Sequence, residues 1–267
     1  IALASFAAGV CVSARVLVST RVGSRRSRRM IHGARRASTA RAVEATSRGV
    51  IPDIAEGVAE GASVRRRAQT LTAPTDAEMT ALRPLLSRGP VYIVRNADGG
   101  ADARITIITR VHTTAAMMHR AITAPGEYTT FMPILRGVDV LSTHGSRTAF
   151  RFHVAAPLFD VTALCAMNVL SERRVDVAIT QSETGPGGSR WDMLPDGDDA
   201  STVSLTTWGD PSQGHWLLRQ VARRSPAAIA GMNISVDTVL ALGAARRAEI
   251  LSGMSLPVRP AEFLPGS

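Results

Sequence analysis

The spacing of apolar residues predicts regular structure from about residue 74 onward. Thr75 and Glu78, three residues apart, form a capping-box pattern at the start of a helix with one apolar face. From Ala103 the chain alternates with a period of two, which predicts a strand over ARITIITRVHT. Residues 114–123 return to a helical pattern that Pro125 ends. The folded part therefore begins with a helix, a strand and a second helix.

Six further strand-like runs follow, separated by turn signals, and cover residues 135–143, 147–155, 158–169, 174–182, 189–194 and 201–208. Consecutive runs with short turns between them predict an antiparallel meander. Directly opposed residues share a face, so each hairpin can be tested for an apolar side. A three-residue turn at His144-Gly145-Ser146 pairs Val138 with Phe152, and a turn centred on Asp198 pairs Trp191 with Leu205.

Three turn positions define the middle of this meander. A two-residue turn at Ala156-Pro157 pairs Phe152 with Val161. A turn centred on Glu172 pairs Cys165 with Ile179, and one centred on Gly185 pairs Ile179 with Trp191. Every hairpin then has one apolar face, and the opposite face carries Arg151, His153, Asp160, Thr162 and Asp176. The same register places His153 opposite Asp160, which we interpret as a surface ion pair.

After Asp210-Pro211 the pattern becomes helical again, over HWLLRQVARRS and then over about 227–250. The last helix has an apolar stripe that includes Ile229 and Val239. A sheet with one apolar face needs a cover, and this long helix can provide it. The fold class predicted is α+β, with a curved seven-stranded antiparallel sheet wrapped around a long C-terminal helix.

This order of elements resembles the helix-grip fold of the START-related lipid-transfer and polyketide cyclase/dehydrase superfamily (SRPBCC), including its coenzyme Q-binding branch. The resemblance covers about residues 80–250. It depends on GEYTTFMPILRGVDVLS, SRTAFRFHVAAPLFDV, GGSRWDMLPDGDDASTVSLTTWGDP and the terminal ARRAEIL. It implies a tunnel between sheet and C-terminal helix for an apolar ligand, without a metal or covalent cofactor. An extra helix at 213–226, split from the next by Pro226, departs from the family pattern and affects the expected tunnel mouth.

Charge divides the chain into a basic head and a neutral body. All 31 basic residues are Arg, and residues 1–70 contain 13 of them against four acidic residues, which is the whole formal charge of +9. The absence of Lys excludes a P-loop, a pyridoxal Schiff base and a lysine-dependent kinase within this sequence. We expect residues 1–70 to be a disordered basic head, 74–252 the helix-grip domain and 253–267 a tail.

Two features of the head bear on its partners. Residues 1–14 resemble the apolar core of a signal peptide or a short membrane anchor, but the Arg residues that follow favour a cytoplasmic or membrane-associated protein over an exported one. The stretch 23–41 could bind an anionic membrane surface, as could a basic amphipathic helix at 215–225. Nucleic acid is disfavoured, because this stretch has no aromatic residue on which bases could stack.

No catalytic or metal-binding signature is present. Cys11 and Cys165 are too far apart in sequence to form a metal pair, and the His residues lack ligand spacing. DGDDA at 196–200 lacks the later ligands of a calcium loop, so it is interpreted as a hairpin turn. We therefore expect no catalytic residue, no metal and no cofactor.

The predicted ligand-binding residues are those of the dry face and the helix that covers it. They are Thr109, Phe150, Phe152, Val161, Cys165, Met167, Ile179, Trp191, Met193, Leu205, Thr207, Met232, Asn233 and Val236. This lining favours a non-enzymatic carrier of a lipid, isoprenoid quinone or polyketide. Two alternatives stay open. One is a polyketide aromatase/cyclase that orients carbonyls with Tyr128, Thr109, Thr207 or Asn233, and the other is an envelope-associated interaction protein tethered by its head.

A truncation tests the predicted boundary. Because capping and apolar periodicity begin at about residue 74, a chain that starts near residue 72 should unfold in one cooperative transition, like the full chain. Thermal unfolding followed by circular dichroism measures this. Aggregation of the shortened chain, while the full chain stays monodisperse, would contradict the boundary.

Overall fold

The computed structural model describes residues 16–18, 75–96, 103–155 and 160–254. In these ranges it has four α-helices and nine strands. The helices are α1 (Asp76–Leu86), α2 (Ala115–Ile122), α3 (Trp216–Arg224) and α4 (Pro226–Leu251). The strands are β1 (Val16–Val18), β2 (Val91–Asn96), β3 (Ala103–Val111), β4 (Leu135–His144), β5 (Arg147–Ala155), β6 (Asp160–Ser171), β7 (Arg174–Ser182), β8 (Gly187–Pro195) and β9 (Ser201–Gly209).

The strands form one sheet in the order β1-β2-β3-β9-β8-β7-β6-β5-β4. Strands β2 to β9 are antiparallel to their neighbours, and the three-residue β1 runs parallel to β2 at the edge. The predicted α+β helix-grip fold is confirmed, but the predicted count of seven strands is wrong. The prediction missed β2 because VYIVRN is short, although the next strand, β3, is its antiparallel partner and the ADGGAD between them contains a Gly-Gly turn signal.

The predicted register is confirmed in three hairpins and shifted in two. Val138 pairs with Phe152, Cys165 with Ile179 and Trp191 with Leu205, as the turn positions indicated. Phe152, however, pairs with Ala163 rather than with Val161. Residues 156–159 separate β5 from β6 and lie outside the described residues. The error is two residues, an even number, so each side chain keeps its predicted face.

The β7–β8 hairpin is shifted by four residues, because Ile179 pairs with Gly187 and not with Trp191. The glycines of this segment were assigned to the turn, but Gly187 and Gly188 lie in β8. A Cβ atom on Gly188 would lie 2.4 Å from the Trp208 ring and 2.5 Å from the Val177 carbonyl oxygen. These glycines therefore allow a close approach of side chain and backbone rather than a turn.

The main core lies on the inner face of the sheet, beneath α2 and α4. Helix α4 packs on β3 and β9 and against α2. Its C-terminal half approaches closely because its buried residues there are small, namely Ala241, Ala244, Ala245 and Ala248. A Cβ atom on Gly243 would lie only 2.9 Å from the Phe131 carbonyl oxygen. By length and mean hydropathy (1.5), Ala227–Leu251 is also the one helix among the described residues that could cross a membrane.

The outer face carries polar pairs and a second, smaller core. Arg190 donates two hydrogen bonds of 2.8 Å to Asp176, and Leu86 of α1 packs on Ile108. The prediction that His153 pairs with Asp160 is wrong. His153 Nε2 lies 3.4 Å from Asp139 Oδ2, because the longer β5–β6 connection places Thr162 opposite His153 instead.

The domain boundaries stay a prediction. Most of the predicted head (1–70) and of the tail (253–267) lies outside the described residues, including the predicted signal or anchor at 1–14 and the basic stretch 23–41. Val16–Val18 is the described exception, and it pairs with Tyr92–Val94 of β2. The truncation at residue 72 therefore also measures what this edge strand contributes.

Gly188→Ala tests the close approach at β8. The added methyl group meets a ring and a carbonyl oxygen, so we expect a loss of about 1–3 kcal/mol in the free energy of unfolding. Urea denaturation measures it. Gly209→Ala is the matched control, because nothing lies within 4 Å of its added Cβ atom. Equal stability of the two variants would show that the sheet adjusts freely at Gly188.

Candidate ligand-binding site

Inward-facing side chains lose burial toward one end of the sheet. On β7, Val175 is fully buried, whereas Val177 and Ile179 are half-buried. On β5, Phe150 is fully buried and Phe152 is half-buried. These residues face the same side of the sheet as the core, so their exposure reflects an incomplete cover rather than a position on the outer surface.

The same gradient continues on β8 and β9. Trp191 and Leu205 are buried, whereas Ser189 and Thr207, two residues further along their strands, are half-buried. The register places Val177 opposite Ser189 and Ser189 opposite Thr207, so these three half-buried positions are adjacent. Phe152 and Val154 of β5 are separated from them by β6, whose inward-facing Val161 and Ala163 are buried. We call this region the open end and define it by its inward-facing side chains, namely Phe152, Val154, Val177, Ile179, Ser189 and Thr207.

Helix α4 meets the open end through a buried carboxyl group. Thr207 Oγ1 donates a 2.5 Å hydrogen bond to Asp237 Oδ2. Asn233, one turn earlier on α4, is half-buried, and Ile234 packs against the main core. The N-terminal half of α4 thus lies beside the open end, whereas its alanine-rich C-terminal half covers the closed part of the sheet.

Burial raises the pKa of Asp237 to about 7, and the hydrogen bond from Thr207 offsets part of that increase. A carboxyl group with this pKa is largely neutral below pH 7 and can then donate a hydrogen bond. Asp237 was missed in the sequence analysis, which treated α4 as an apolar stripe. A signal was present, because Asp237 is the only charged residue between Pro226 and Ala245.

A second polar contact fixes α4 next to this carboxyl. The hydroxyl oxygens of Thr238 and Tyr92 lie 3.2 Å apart, and Thr238 also donates to the Ile234 carbonyl oxygen at 2.6 Å. Both side chains are buried. Tyr92 was not among the predicted functional residues, because β2 was not predicted.

The predicted site residues fall into three groups. The buried group belongs to the closed part of the inner face and comprises Thr109, Phe150, Val161, Cys165, Met167, Trp191, Met193 and Leu205. The half-buried group lies at the open end and on the adjacent turn of α4 and comprises Phe152, Ile179, Thr207 and Asn233. Met232 (36% exposed) and Val236 (38%) lie on an exposed part of α4. The roles of all fourteen residues in ligand binding stay predictions.

Three polar groups of the closed part are already engaged or inaccessible. The Tyr128 hydroxyl donates to the Ile122 carbonyl oxygen, and its ring packs edge-on against Phe150. Thr109 is buried, and its hydroxyl donates to the Arg110 carbonyl oxygen. Burial raises the pKa of the Cys165 thiol, which disfavours its reactive thiolate form. None of these groups is available at the open end.

The predicted calcium-like turn forms ion pairs with other parts of the fold. Asp196, in the predicted calcium-like turn, forms ion pairs with Arg83 (3.1 Å) and Arg110 (2.9 Å). Over the described ranges, His, Cys, Asp and Glu side chains nowhere form a group of three that could hold a metal ion. The turn therefore links α1 to β3.

Helix α3 has little free apolar surface. Leu218 is buried, and Leu217 and Val221 are half-buried, whereas Trp216 is 60% exposed. The helix packs against α4. The apolar side that was predicted to enter a membrane is thus largely covered by other parts of the fold. Membrane contact by residues 215–225 stays a prediction.

No family model and no curated protein matches the chain. Among solved structures, the chain is similar to the Zhui aromatase/cyclase from Streptomyces sp. R1128 (11% identity, TM-score 0.48, covering 55% of this chain and 93% of that one). It is also similar to a START superfamily protein from Mycobacterium smegmatis (17%, 0.44, 55% and 98%). A third is a STAR-related lipid transfer protein fragment from Xanthomonas axonopodis (15%, 0.38, 54% and 91%). The function therefore has to be inferred from the site.

The raised pKa of Asp237 predicts a specific pH dependence of stability. The folded state binds this proton more tightly than the unfolded state, so stability falls as pH rises from the ordinary Asp pKa toward about 7. Through this group, raising the pH from about 5 to about 8 should lower the free energy of unfolding by roughly 2–3 kcal/mol. Asp237→Asn should lose correspondingly less stability over that interval in urea denaturation. Parallel pH profiles for the two proteins would contradict the burial of an ionisable group.

Proposed function

We propose that the protein binds and carries a hydrophobic small molecule, such as a lipid, isoprenoid quinone or polyketide, at the open end. The observation that carries this proposal is the exposure of apolar side chains on the core-facing side of β5 and β7. Phe152, Val177 and Ile179 face inward, yet the elements that bury their neighbours do not fully cover them. A ligand that lies against them completes the cover.

The energetics support an apolar ligand. Covering about 100 Å² of this apolar surface contributes roughly 2.5 kcal/mol. The polar side chains beside it, Ser189, Thr207 and Asn233, are uncharged and can orient a polar group of the ligand. Small-molecule sites typically combine an apolar lining with a few polar groups in this way.

A polyketide aromatase/cyclase is the second candidate, and Asp237 is the observation that favours it. A buried carboxyl with a pKa of about 7 suits a general acid. Tyr128 and Thr109, which were predicted to orient carbonyls, do not support this candidate, because their hydroxyls are engaged in the closed part. Two measurements separate the candidates. A lipid or quinone that co-purifies in native mass spectrometry supports the carrier, whereas cyclised products after incubation with a synthetic poly-β-ketone support the enzyme.

The membrane is a proposed secondary partner, by way of the basic head. Its Arg residues would meet anionic lipid at roughly 1 kcal/mol each near the surface. Exposed Arg219, Arg223 and Arg224 of α3 add to the positive charge. This would place the carrier next to a source of apolar ligand, and it would also suit an envelope-associated protein.

Ile179→Trp tests the site directly. The larger side chain occupies the open end, so we expect at least a tenfold loss of affinity for the neutral fluorescent probe 1-N-phenylnaphthylamine, measured by titration. Gln181→Trp is the matched control, because Gln181 is an exposed residue of the same strand. The control should bind the probe as the parent does. Unchanged probe affinity in a folded Ile179→Trp protein would refute binding at the open end.

A further inference from the structure

We propose that the open end selects apolar molecules that carry a carbonyl oxygen, and that Asp237, held by Thr207, donates the hydrogen bond that recognises this oxygen. This inference rests on the proposed function and specifies the chemistry of its ligand. In this inference Asp237 recognises the carbonyl oxygen, and apolar side chains of β5 and β7 contact the apolar part of the ligand.

Thr207 and Asp237 form a hydrogen-bonded pair between β9 and α4. Thr207 lies at the open end and is half-buried, whereas Asp237 is buried next to it on α4. The Thr207 hydroxyl donates to Oδ2 and is, within the described part of the chain, the hydrogen-bond partner of this carboxyl. The second carboxyl oxygen, Oδ1, is thus left for another partner, and the pair lies at the border between the closed part and the open end.

The ionisable groups around Asp237 decide whether its carboxyl group is protonated. The inner faces of β3 and β9 place no ionisable side chain near it, since they present Ile105, Ile107, Thr109, Val203, Leu205 and Thr207. The ionisable groups of the other elements around α4 are Tyr92 on β2, His119 and Arg120 on α2, His215 at the N-cap of α3, and Arg219, Arg223 and Arg224 on α3. Glu127, in the segment after α2, forms an ion pair with Arg247 in the C-terminal half of α4. Tyr92 contacts Thr238, and the three Arg residues of α3 are exposed.

No cationic side chain therefore forms an ion pair with Asp237 among the residues described, and burial favours its neutral form. A neutral carboxyl that already accepts from Thr207 has one O–H left to donate. Its complement is an acceptor, and a ketone, quinone or ester carbonyl is an acceptor without a donor. A ligand group that offers only donors would leave this O–H without an acceptor, which costs free energy in a buried site.

From Thr207 and Asp237, the inward-facing surface of the sheet extends toward β5. Ser189 and Val177 follow Thr207 on successive strands, and Phe152 lies further across the sheet. Four strand spacings separate β9 from β5, a span of about 19 Å. An elongated apolar molecule can thus place its carbonyl at Asp237 and its hydrocarbon part across Val177, Ile179 and Phe152.

The experiment compares two competitors that differ in one atom group. Undecan-2-one and 2-methylundec-1-ene have the same shape, but a CH₂ group replaces the carbonyl oxygen in the alkene. Each competes with 1-N-phenylnaphthylamine on the full chain, at pH 5.5 and at pH 8.5. The alkene is the more hydrophobic of the two, so the quantity compared is the ratio of ketone affinity to alkene affinity. One hydrogen bond should make this ratio about three- to tenfold higher at pH 5.5 in the parent protein than in Asp237→Leu. At pH 8.5, when Asp237 ionises, the ratio of the parent should fall to that of Asp237→Leu.

Two variants separate recognition from structure. Asp237→Leu has no donor, so its ratio of ketone to alkene affinity should be the same at both pH values. Asp237→Asn keeps an N–H donor that does not titrate, so its ketone preference should persist at pH 8.5. Circular dichroism confirms that each variant is folded.

The outcomes distinguish this inference from the proposed function. If neither competitor displaces the probe, or the probe does not bind, both fail. If the ratio of ketone to alkene affinity at pH 5.5 is the same in the parent protein and in folded Asp237→Leu, apolar binding stands and recognition by Asp237 is refuted. A ratio in the parent protein that does not change between pH 5.5 and pH 8.5 also refutes it.

Discussion

The fold depends on one constraint: a curved sheet with a continuous apolar face has to be covered. A single long helix cannot span all the strands from β2 to β4. Helix α4 lies on β3 and β9, and α2 reaches β7 and β8. Where neither helix reaches, at the ends of β5 and β7, the apolar face keeps part of its exposure. The incomplete cover is thus a consequence of how a narrow helix meets a wide sheet.

Small residues determine which half of α4 packs closely against the sheet and α2. Ala241, Ala244, Ala245 and Ala248 let the C-terminal half approach the sheet and α2 closely, and Gly243 allows the contact with Phe131. The N-terminal half carries Asn233, Asp237 and Thr238 instead. Polar side chains hold that half in place through specific partners rather than through tight apolar packing. This difference along one helix separates the structural part of the inner face from the part that we assign to ligand binding.

Asp237 links stability to recognition. A buried carboxyl that ionises costs free energy, and an apolar side chain at this position would avoid that cost. Its hydrogen bond with Thr207 recovers part of the cost and fixes the direction of the group. Residues that lower stability at a defined position are often those that function requires. The contact between Thr238 and Tyr92 holds the helix in the place that this pair needs.

Hairpin register shows how the sequence can predict a face without predicting a pairing. The β5–β6 and β7–β8 registers differ from the predicted ones by two and four residues, yet Phe152 and Ile179 keep their inward direction. Side chains alternate with a period of two, so an even shift does not change the face. The glycines at 187 and 188 misled the turn assignment, because a glycine needed for close approach looks in sequence like a glycine needed for a turn.

The sequence by itself determined the fold class, the apolar face and the order of the elements other than the edge strands β1 and β2, because each depends on local periodicity and on turn residues close in the chain. It also contained the isolated Asp237 within an apolar helix. Only the tertiary structure decided that Asp237 meets Thr207, that Tyr92 meets Thr238 and that full burial on β7 stops at Val175 and does not reach Val177. These facts depend on contacts between residues far apart in sequence, such as Tyr92 and Thr238, and on where a helix stops covering a sheet. No periodicity along the chain records either.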